Sequence, residues 1–577
     1  MIAIDFETYY DTEYSLKTLG PDAYCSHPLF DPYMVSVVGE GVRYCGPLSE
    51  APWAAMNGRD VCAHNARFDK TVFLAAQTRG LIPPIRLRNW FCTADLAVFF
   101  GLPRSLKGAA ECALGITMSK DMRDRAKGLH ADGLRAAGLW ERMAEYGLTD
   151  SEICLALFEK LSPEWPELER RISQLNLDNT RRGIAIDVEG VDTAIELMQT
   201  KCWEAEKRIP WATEGATILS HTPLRECCVS AGIPYPTSLA EDSPDCQAWE
   251  EEYGERYQWV AAMRDYRKAN ILLKKLATLK RRSSGGIFPY CLKYFGGHTG
   301  RFSGDSGLNM QNLPRDGSFG INFRNLFVAR PGKILGITDL SQIEPRCLYV
   351  ACKDTESLDL IRSGVSVYEA HAIRTLKWVS GDLKKLNPSL YALAKARVLA
   401  LGYGAGGPTF KNQAANYGVI LSPEEATKTV LDFRATSPQI TGLWANFQRV
   451  LRLHIGGDMR VQLPSGRSLI YRNIQRENGD VLGDCGGRRR RLYGGILTEN
   501  YIQAVARDVF CDRLLALHDA GFVDLVLQVH DEYVHELDIK TAAADLAEIK
   551  RVIAAGPEWF PGLPMDSAGE LSPVYKK

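Results

Sequence analysis

Two strand patterns that end in carboxylates lie far apart in this chain, and their separation constrains the fold more than any other feature. Residues 333–339 (KILGITD) form an apolar strand pattern that ends at Asp339. Residues 525–535 (LVLQVHDEYVH) have the pattern of two strands joined at a turn that carries Asp531. If both patterns belong to one sheet, the chain between the two acids, whose sequence separation is 192 (531 − 339 = 192), forms an inserted subdomain, and residues 346–455 have a helical pattern.

Length and composition predict a globular chain of several domains. The chain has 577 residues, of which 45% are hydrophobic and 24% are charged, so it can bury several ordinary cores. No apolar run reaches the ~18 residues of a membrane span, and the N-terminus is acidic where a signal peptide is basic. The 15 cysteines form no CxxC pair, which favours reduced thiols in a cytoplasmic protein.

Acidic residues in the N-terminal part predict a metal site. In the strand pattern IAIDFE, alternation places Asp5 and Glu7 on the same side of the strand. Two like charges this close repel each other unless a cation lies between them. An exposed acidic strand would explain Asp5 and Glu7 alone, but further acidic residues in the same domain favour a divalent metal site. Asp69 lies in the run NARFD, and Tyr146 and Asp150 lie one helical turn apart.

This ordered pattern resembles the DEDDy class of proofreading exonucleases. The resemblance implies a ribonuclease H-like 3′–5′ exonuclease domain over residues 1–165. It implies two divalent cations held by four carboxylates, which are Asp5, Glu7, Asp69 and Asp150. Tyr146 would orient the attacking water, and no nucleophilic Ser, Cys or His is required because the metal ions activate the water.

The remainder of the chain resembles the family A DNA polymerases, the group of bacterial polymerase I and the bacteriophage replicases. The matching runs are residues 339–344 (motif A), 530–532 (motif C), 395–404 (the fingers helix), 298–303, 309–314 and 499–508. The resemblance implies a multi-domain α/β and α+β protein with a right-hand polymerase domain behind the exonuclease. Its expected parts are a mainly helical thumb and connection (166–290), a palm (291–345 and 441–577) and fingers (346–440).

The resemblance also assigns roles around the nucleotide. Asp339 and Asp531 would be the metal ligands, and Glu344 would exclude the ribose 2′-hydroxyl. Lys395 and Tyr403 are eight residues apart (403 − 395 = 8), two turns of an α-helix, so we expect them on one helical face. Lys395 would meet the triphosphate and protonate the leaving pyrophosphate. The residues implied to bind the nucleotide are Gln342, Glu344, Lys395, Leu399 and Tyr403.

DNA contacts are implied on both sides of this site. Arg301 and Gln503 would reach minor-groove acceptors that all base pairs share, and His530 would contact the primer end. The residues implied to bind DNA are Lys274, Lys275, Arg301, Gln311, Asn312, Gln503 and His530. Residues 266–304 contain nine Lys or Arg and no Asp or Glu, which favours a grip on duplex phosphates over a merely solvated basic face. Residues 488–491 are four arginines, for which a template phosphate contact and a solvated loop remain equally open.

Two positions depart from the family pattern. Tyr391 stands where an arginine is usual, and Leu399 stands where an aromatic residue is usual. Arg397 lies about 200° around an α-helix from Lys395, so it does not simply replace the missing arginine. These departures motivate a second hypothesis, a DNA exonuclease whose polymerase module is reduced to DNA binding. A non-catalytic DNA-binding protein is the weakest interpretation, because two clusters of acids without metal ions would repel phosphate.

We therefore interpret the chain as a template-directed DNA polymerase that proofreads with a 3′–5′ exonuclease. Its length and the run YGGILTEN at residues 493–500 resemble bacteriophage members, which favours bacteriophage genome replication. The resemblance implies two-ion Mg²⁺ sites in both catalytic domains, with Mn²⁺ able to substitute. The expected partners are primer–template DNA and deoxynucleoside triphosphates. We expect a monomer in the host cell cytoplasm without membrane contact; the sequence carries no signal for other replication proteins.

Overall fold

A computed structural model describes residues 1–118, 121–214, 217–240, 243–305, 307–314 and 317–576. The chain has a mixed α/β and α+β, multi-domain architecture. Within these ranges, no helix combines the length and the apolar character that crossing a bilayer requires.

The first 92 residues contribute a mixed sheet, which we call the N-terminal sheet, with the strand order β3-β2-β1-β4-β5. Its strands are β1 (Ile2–Thr8), β2 (Pro32–Gly39), β3 (Val42–Gly46), β4 (Val61–Ala63) and β5 (Trp90–Cys92). β1 is central, antiparallel to β2 and parallel to β4. The predicted alternation is confirmed, because Ile2, Ile4 and Phe6 are buried while Asp5 and Glu7 are half-buried.

Helices surround this sheet and lead out of it. They are α1 (Leu16–Leu19), α2 (Pro21–Ser26), α3 (Trp53–Met56), α4 (Ala66–Thr78), α5 (Thr93–Phe99), α6 (Leu106–Leu114), α7 (Asp121–Arg125), α8 (Ala131–Ala136), α9 (Trp140–Leu161) and α10 (Glu167–Arg182). α10 ends at Arg182, and Gly183 is its C-cap. Gly183 has φ 63°, and an added Cβ would lie 2.5 Å from the carbonyl oxygen of Phe288, so only glycine fits there.

A long helical pair follows, with short strands around it. The elements are β6 (Ile184–Ile186), α11 (Val188–Glu206), α12 (His221–Ala231), α13 (Pro244–Tyr253), α14 (Gln258–Arg282), β7 (Ile287–Phe288), β8 (Leu292–Lys293), β9 (Ser303–Gly304) and β10 (Phe327–Val328). α11 and α14 pack along each other through buried residues that include Met198, Leu272 and Leu276. α12 and α13 instead pack around a separate small core that contains Trp211 and Trp249.

The C-terminal part alternates helices with two further sheets. Its elements are β11 (Lys333–Leu340), α15 (Ile343–Ala351), α16 (Thr355–Arg362), α17 (Val367–Thr375), α18 (Leu383–Leu386), α19 (Pro388–Ala396), α20 (Gly407–Ala415), α21 (Pro423–Thr436), α22 (Pro438–Leu453), β12 (Met459–Gln462), β13 (Ser468–Glu477), β14 (Asp480–Cys485), β15 (Arg488–Leu492), α23 (Gly494–Asp519), β16 (Leu525–Val529), β17 (Glu532–Asp538), α24 (Ala542–Ala554) and β18 (Ser567–Ser572).

The strand patterns that contain Asp339 and Asp531 do share one sheet, with the order β16-β17-β11-β18. β11 and β17 are antiparallel, and Asp339 lies opposite Glu532. The backbone N–H of Leu340 donates to the carbonyl oxygen of Asp531 at 3.0 Å. The chain between them forms the inserted helices α15–α22, the sheet β12-β13-β14-β15 and the helix α23.

A buried ion network beneath this sheet joins distant parts of the chain. Arg507 of α23 is 4% exposed and pairs with Glu169 of α10, with Nη2 2.9 Å from Oε2. The Tyr294 hydroxyl donates to the same Glu169 oxygen at 2.7 Å. Asp508, which follows Arg507 in the chain, pairs with Arg467 at 2.9 Å. Burial alone would raise the pKa of Glu169, but the charge of Arg507 holds it below its ordinary value.

Replacing Glu169 with Gln tests this network, because it keeps the side-chain shape and removes the charge that faces Arg507. We expect the free energy of unfolding to fall by ~3–5 kcal/mol, since a buried guanidinium then loses one of its two carboxylate partners. Arg171→Gln is the matched control, because Arg171 and Asp519 join the same two helices at the surface. Its expected cost is ~0–1 kcal/mol. Urea denaturation measures both losses, and equal losses would contradict the prediction.

Candidate active sites

The N-terminal sheet brings together the four carboxylates predicted from the sequence. Asp5 and Glu7 project from β1, Asp69 lies in the first turn of α4, and Asp150 lies on α9. α9 packs across β1 and β2, and an added Cβ at Gly147 would lie 3.2 Å from a cysteine sulfur of β3, so this packing is close. The backbone N–H of residue 6 donates to Asp69 Oδ1 at 3.1 Å, which fixes one carboxylate against the strand.

Electrostatic repulsion dominates this cluster. Burial, together with the charges of Asp150 and Asp69, raises the pKa of Glu7 to about 8. Burial raises the pKa of Asp69 to about 7, against the lowering effect of its backbone hydrogen bonds. The pKa of Asp5 is also raised, first by burial and then by the other three carboxylates. The cluster therefore favours bound protons or a bound cation.

A tyrosine and an arginine complete the surroundings. Tyr146 lies one turn before Asp150 on α9, and burial followed by the charges of Asp150 and Glu7 raises the pKa of its hydroxyl. The predicted proximity of Tyr146 to the acids is thus confirmed. The Tyr10 hydroxyl donates to the backbone carbonyl oxygen of Arg123. The positive charge of Arg123 lowers the pKa of Glu7. Sequence reasoning missed Arg123, since nothing in the run DMRDR distinguishes one cation from another.

The donor chemistry of the cluster fits a divalent cation, because carboxylate oxygens are the ligands that Mg²⁺ and Mn²⁺ prefer. The side chains are near enough to shift each other's pKa values. Across the described ranges, however, no group of three or more His, Cys, Asp or Glu side chains is arranged so that it could hold a metal ion as it stands. A bound ion would have to draw the carboxylates together.

A second pair of acids meets at the end of the C-terminal sheet. Asp339 lies near the end of β11, and Asp531 lies in the turn between β16 and β17. His530 in that turn has φ 54°, and its backbone N–H donates to Gln311 Oε1 at 2.8 Å. Gln311 Nε2 donates to the carbonyl oxygen of Gln528 at 2.9 Å. Gln311 therefore holds the turn that presents Asp531, and its implied DNA contact stays a prediction.

Arg301 lies at the centre of this second site. Its guanidinium pairs with Glu344, the residue implied to exclude ribonucleotides. Burial lowers the pKa of Arg301, and the charges of Asp531, Tyr403 and Glu499 act in the opposite direction. The site thus collects a predicted DNA contact, a predicted metal ligand and two predicted nucleotide contacts. Glu499 was missed, although it begins the matching run 499–508.

Neighbouring segments hold the other implied contacts. Gln342 has φ 54° before α15, and its Oε1 accepts from the backbone N–H of Val367 at 3.0 Å. The Thr299 hydroxyl donates to Gln503 Oε1 at 2.6 Å, which places Gln503 beside the segment of Arg301. Two other implied contacts, Asn312 and His530, are exposed.

The helix that carries Lys395 differs from its prediction. The α-helix ends at Ala396, a π-helical turn spans Arg397–Leu401, and Tyr403 lies in the turn beyond. The expected single α-helix through Lys395 and Tyr403 is therefore wrong, because a π-helical turn, which adds a residue to the helical repeat, follows Ala396. Lys395 Nζ instead lies 5.1 Å from the ring centroid of Tyr417.

Arg397 and Tyr391 are both turned toward protein. Arg397 is 2% exposed, and its Nη1 donates to Asp432 Oδ2 at 2.8 Å, which agrees with the prediction that it does not replace the missing arginine. The ring of Tyr391 packs edge-on against Tyr368 with centroids 5.6 Å apart. A cavity of about 340 Å³ opens nearby, and its lining includes Leu399, Tyr403, Arg491, Tyr493 and Glu499.

The basic segment at residues 266–304 is only partly free for DNA. Lys280 pairs with Asp192 at 2.7 Å. Arg282 is buried and donates to the carbonyl oxygen of residue 17 at 2.7 Å. Lys274 is exposed and Lys275 half-buried on α14. Several of the nine cations are therefore used inside the protein, which the sequence could not reveal because their partners lie outside the segment.

Comparisons with known proteins agree with this architecture. A family model described as DNA polymerase family A matches residues 243–563, more than half of the chain. The DNA polymerase of Bacillus phage SP02 is 26% identical over 668 aligned residues that cover 100% of this chain and 99% of that protein. DNA polymerase I of Pseudomonas aeruginosa is 29% identical over 248 residues, 41% of this chain and 24% of that protein.

A solved structure shares the fold. It is the POL domain of Pol1 from M. smegmatis in complex with DNA primer-template and dNTP. The TM-score is 0.69 at 16% sequence identity, and the match covers 100% of this chain and 95% of that chain. At this identity the likeness establishes the fold and not the activity.

The repulsion among the N-terminal carboxylates predicts a pH-dependent stability. The folded protein keeps Glu7 protonated up to about pH 8, whereas the unfolded chain releases that proton near ~4.3. The stabilisation is therefore complete below ~pH 4 and is lost as the pH rises toward the folded pKa. Without metal, we expect the thermal midpoint to fall between about pH 4 and about pH 8 and to lose no more from this group at higher pH.

The matched variant is Asp5→Asn with Glu7→Gln, which removes the repulsion at nearly constant shape. Its midpoint should fall less over the same pH range, and added Mn²⁺ should raise the midpoint of the unchanged protein more than that of the variant, which keeps intact only the acids of the C-terminal sheet. Calorimetry with EDTA and with Mn²⁺ measures both effects. An identical pH dependence in the two proteins would rule out repulsion among these carboxylates as the cause.

Proposed function

The chain belongs to DNA polymerase family A, and on this premise we propose that it extends the 3′ end of a DNA primer along a template from deoxynucleoside triphosphates. The observation that carries the proposal is the register of β11 and β17, which brings Asp339 and Asp531 together at one end of a sheet. Arg301 and Glu344 meet beside them. Carboxylates next to a cation and a cavity form a site suited to phosphoryl transfer.

Asp339 and Asp531 are the residues that would hold Mg²⁺, with Mn²⁺ as a substitute, and the bound ions would activate the primer 3′-hydroxyl. Lys395 supplies a cation for the triphosphate and a proton for the leaving pyrophosphate. Tyr403 borders the cavity of about 340 Å³, where its ring can stack on the new base pair. These residues place the substrates and balance their charge, and no covalent intermediate is needed.

Glu344 sets the sugar specificity in this proposal. Its ion pair with Arg301 fixes the carboxylate at the entrance of α15, where a ribose 2′-hydroxyl would collide with it. Arg301 also has free donors for minor-groove acceptors, so one guanidinium serves both the gate and the primer end. Gln503, beside Thr299, offers a second minor-groove donor.

Proofreading is proposed for residues 1–165, which we assign as a ribonuclease H-like 3′–5′ exonuclease. Support comes from the central strand β1, whose two acids are joined by Asp69 and Asp150 from flanking helices. The four carboxylates would hold two divalent cations, and the bound ions would supply the hydroxide that attacks the terminal phosphodiester. Tyr146, next to Asp150 and Glu7, is placed to orient that water.

The remaining assignments follow from the family. We propose a thumb and connection at residues 166–290, a palm at 291–345 and 441–577, and fingers at 346–440. Similarity to the DNA polymerase of Bacillus phage SP02 supports genome replication of a bacteriophage in the cytoplasm of its host. The proposed ligands are primer–template DNA and deoxynucleoside triphosphates, bound by a monomer.

Separate sites predict separable activities. Asp531→Ala should abolish extension of a 5′-labelled primer and leave its degradation, because the exonuclease carboxylates lie on a different sheet. Asp5→Ala with Glu7→Ala should do the reverse. Denaturing gels with Mg²⁺, run with and without the four deoxynucleotides, measure both activities.

Two results would contradict these assignments. Shortening of a mismatched primer by the Asp5→Ala/Glu7→Ala variant would show that the exonuclease site lies elsewhere. Shortening without any extension by the unchanged protein, even at high nucleotide concentration, would favour a DNA exonuclease whose polymerase module only binds DNA.

Sugar selection gives a further prediction at Glu344. Glu344→Ala should reduce discrimination against ribonucleotides by roughly 10–200-fold, the range expected for opening a steric contact. Glu344→Gln keeps the bulk and loses the ion pair with Arg301, so it should retain most of the discrimination. The measurement is the ratio of kcat/KM for one deoxynucleotide to kcat/KM for its ribonucleotide. Unchanged ratios in both variants would show that Glu344 does not select the sugar.

A further inference from the structure

The four consecutive arginines at residues 488–491 form a strand and not a loop. They lie on β15, the edge of the sheet β12-β13-β14-β15, and pair with β14 in a hairpin that we call the arm (residues 480–492). The solvated-loop interpretation is therefore wrong. Because side chains alternate along a strand, the four arginines divide between two faces of the arm.

The arginines on one face of the arm, Arg489 and Arg491, are paired with carboxylates of the same sheet. Arg489 lies opposite Asp484 and pairs with it at 3.1 Å, and it also pairs with Glu477. Arg491 Nη2 lies 2.9 Å from Asp480 Oδ1. These two arginines brace the hairpin through cross-strand ion pairs, which restrict its motion but leave little charge for a partner.

The other face carries Arg488 and Arg490. They lie opposite Cys485 and Gly483, which are buried, and on the same side as the buried Leu492. This is therefore the face that packs on the rest of the protein. Both arginines are nevertheless exposed, and neither makes an ion pair within the described part of the chain.

The arm rests on the segment that leads to Arg301. At the hairpin turn, an added Cβ on Gly486 would lie 3.2 Å from the Cβ of His298, so the tip contacts that residue directly. Burial lowers the pKa of His298 to about 4, and the charges of Arg467 and Arg490 act in the same direction. His298 immediately precedes Thr299, the hydrogen-bond partner of Gln503. The arm thus lies beside the surface assigned to the duplex.

We propose that the arm is a DNA-binding element, in which Arg488 and Arg490 bind the phosphodiester backbone of the primer–template duplex beside the polymerase site. The proposal rests on the proposed function, because the duplex is the ligand of that site. Two guanidiniums on one strand face match phosphates bidentately, and each contact releases counterions from DNA. Arg489 and Arg491 hold the strand in place, so the arm meets DNA without a large ordering cost.

The test compares two variants that remove equal charge from the same sheet. Arg488→Gln with Arg490→Gln removes the proposed contacts, and Arg489→Gln with Arg472→Gln is the matched control, because each of these two arginines pairs with a carboxylate of its own part of the chain. The readout is the Kd of a fluorescent primer–template duplex at several salt concentrations, without nucleotides and with EDTA to prevent degradation. We expect the first variant to bind ~10-fold or more weakly near 0.1 M salt and to lose about 2 from the slope of log K against log salt.

The control pair should change Kd by less than about 2-fold at the same salt, since its arginines are already neutralised. Arg488→Lys with Arg490→Lys should recover most of the salt slope, because lysine keeps the charge that displaces counterions. Thermal melting of each variant shows that it is folded.

Equal weakening by both glutamine pairs would attribute the effect to net charge and overturn the proposal. Unchanged duplex binding in the first variant would also overturn it, and would leave an acidic protein partner as the alternative ligand of the arm. Primer extension at saturating DNA separates this failure from failure of the proposed function. Primer extension by the unchanged protein supports the polymerase assignment whether or not the arm binds DNA. If the unchanged protein does not extend the primer, the polymerase assignment is rejected on that result alone.

Discussion

The ion pairs of the buried Arg507 join segments that are distant in the sequence, because a buried guanidinium needs carboxylate partners. Glu169 comes from α10, at the exit of the N-terminal part, and Asp508 comes from α23 itself. Arg467, the second cation of the network, also donates to the carbonyl oxygen of Thr299 at 2.8 Å. Since leaving any of these charges unpaired in the interior is costly, the segments must assemble together. Their assembly fixes the position of the 299–301 backbone, on which Arg301 and its ion pair with Glu344 depend.

The two acidic sites differ in how the repulsion among their carboxylates is balanced. Around Glu7 the carboxylates are buried together, and Arg123 is the cation that lowers the pKa of Glu7. Around Asp531 the positive charge is built in, because Arg301 lies among Asp531, Glu344 and Glu499. The first arrangement depends strongly on protons or cations from solution. The second is already balanced in part, so substrate binding can exchange one partner of Arg301 for another without exposing a bare charge.

Much of this arrangement could be predicted from the sequence because the signals are local. Alternation along residues 2–8 identifies the face of Asp5 and Glu7. The separation of Asp339 from Asp531 predicts the inserted subdomain. The π-helical turn at Arg397–Leu401 was not predictable, since the side-chain pattern alone does not distinguish it from an α-helix. Pairing over long distances, as between Lys280 and Asp192 or Gln311 and the β16–β17 turn, leaves no local trace.

The small core around Trp211 and Trp249 has a consequence for the whole molecule. Its buried residues, which lie between Ile209 and Met263, are shared with none of the other buried cores of the described chain. Half-buried Tyr266 packs against both this core and that of α11 and α14. This small core can therefore melt while the sheets that carry the acidic residues remain folded. The protein then has more than one cooperative unit, and its resistance to heat or proteases is a property of each unit and not of the chain.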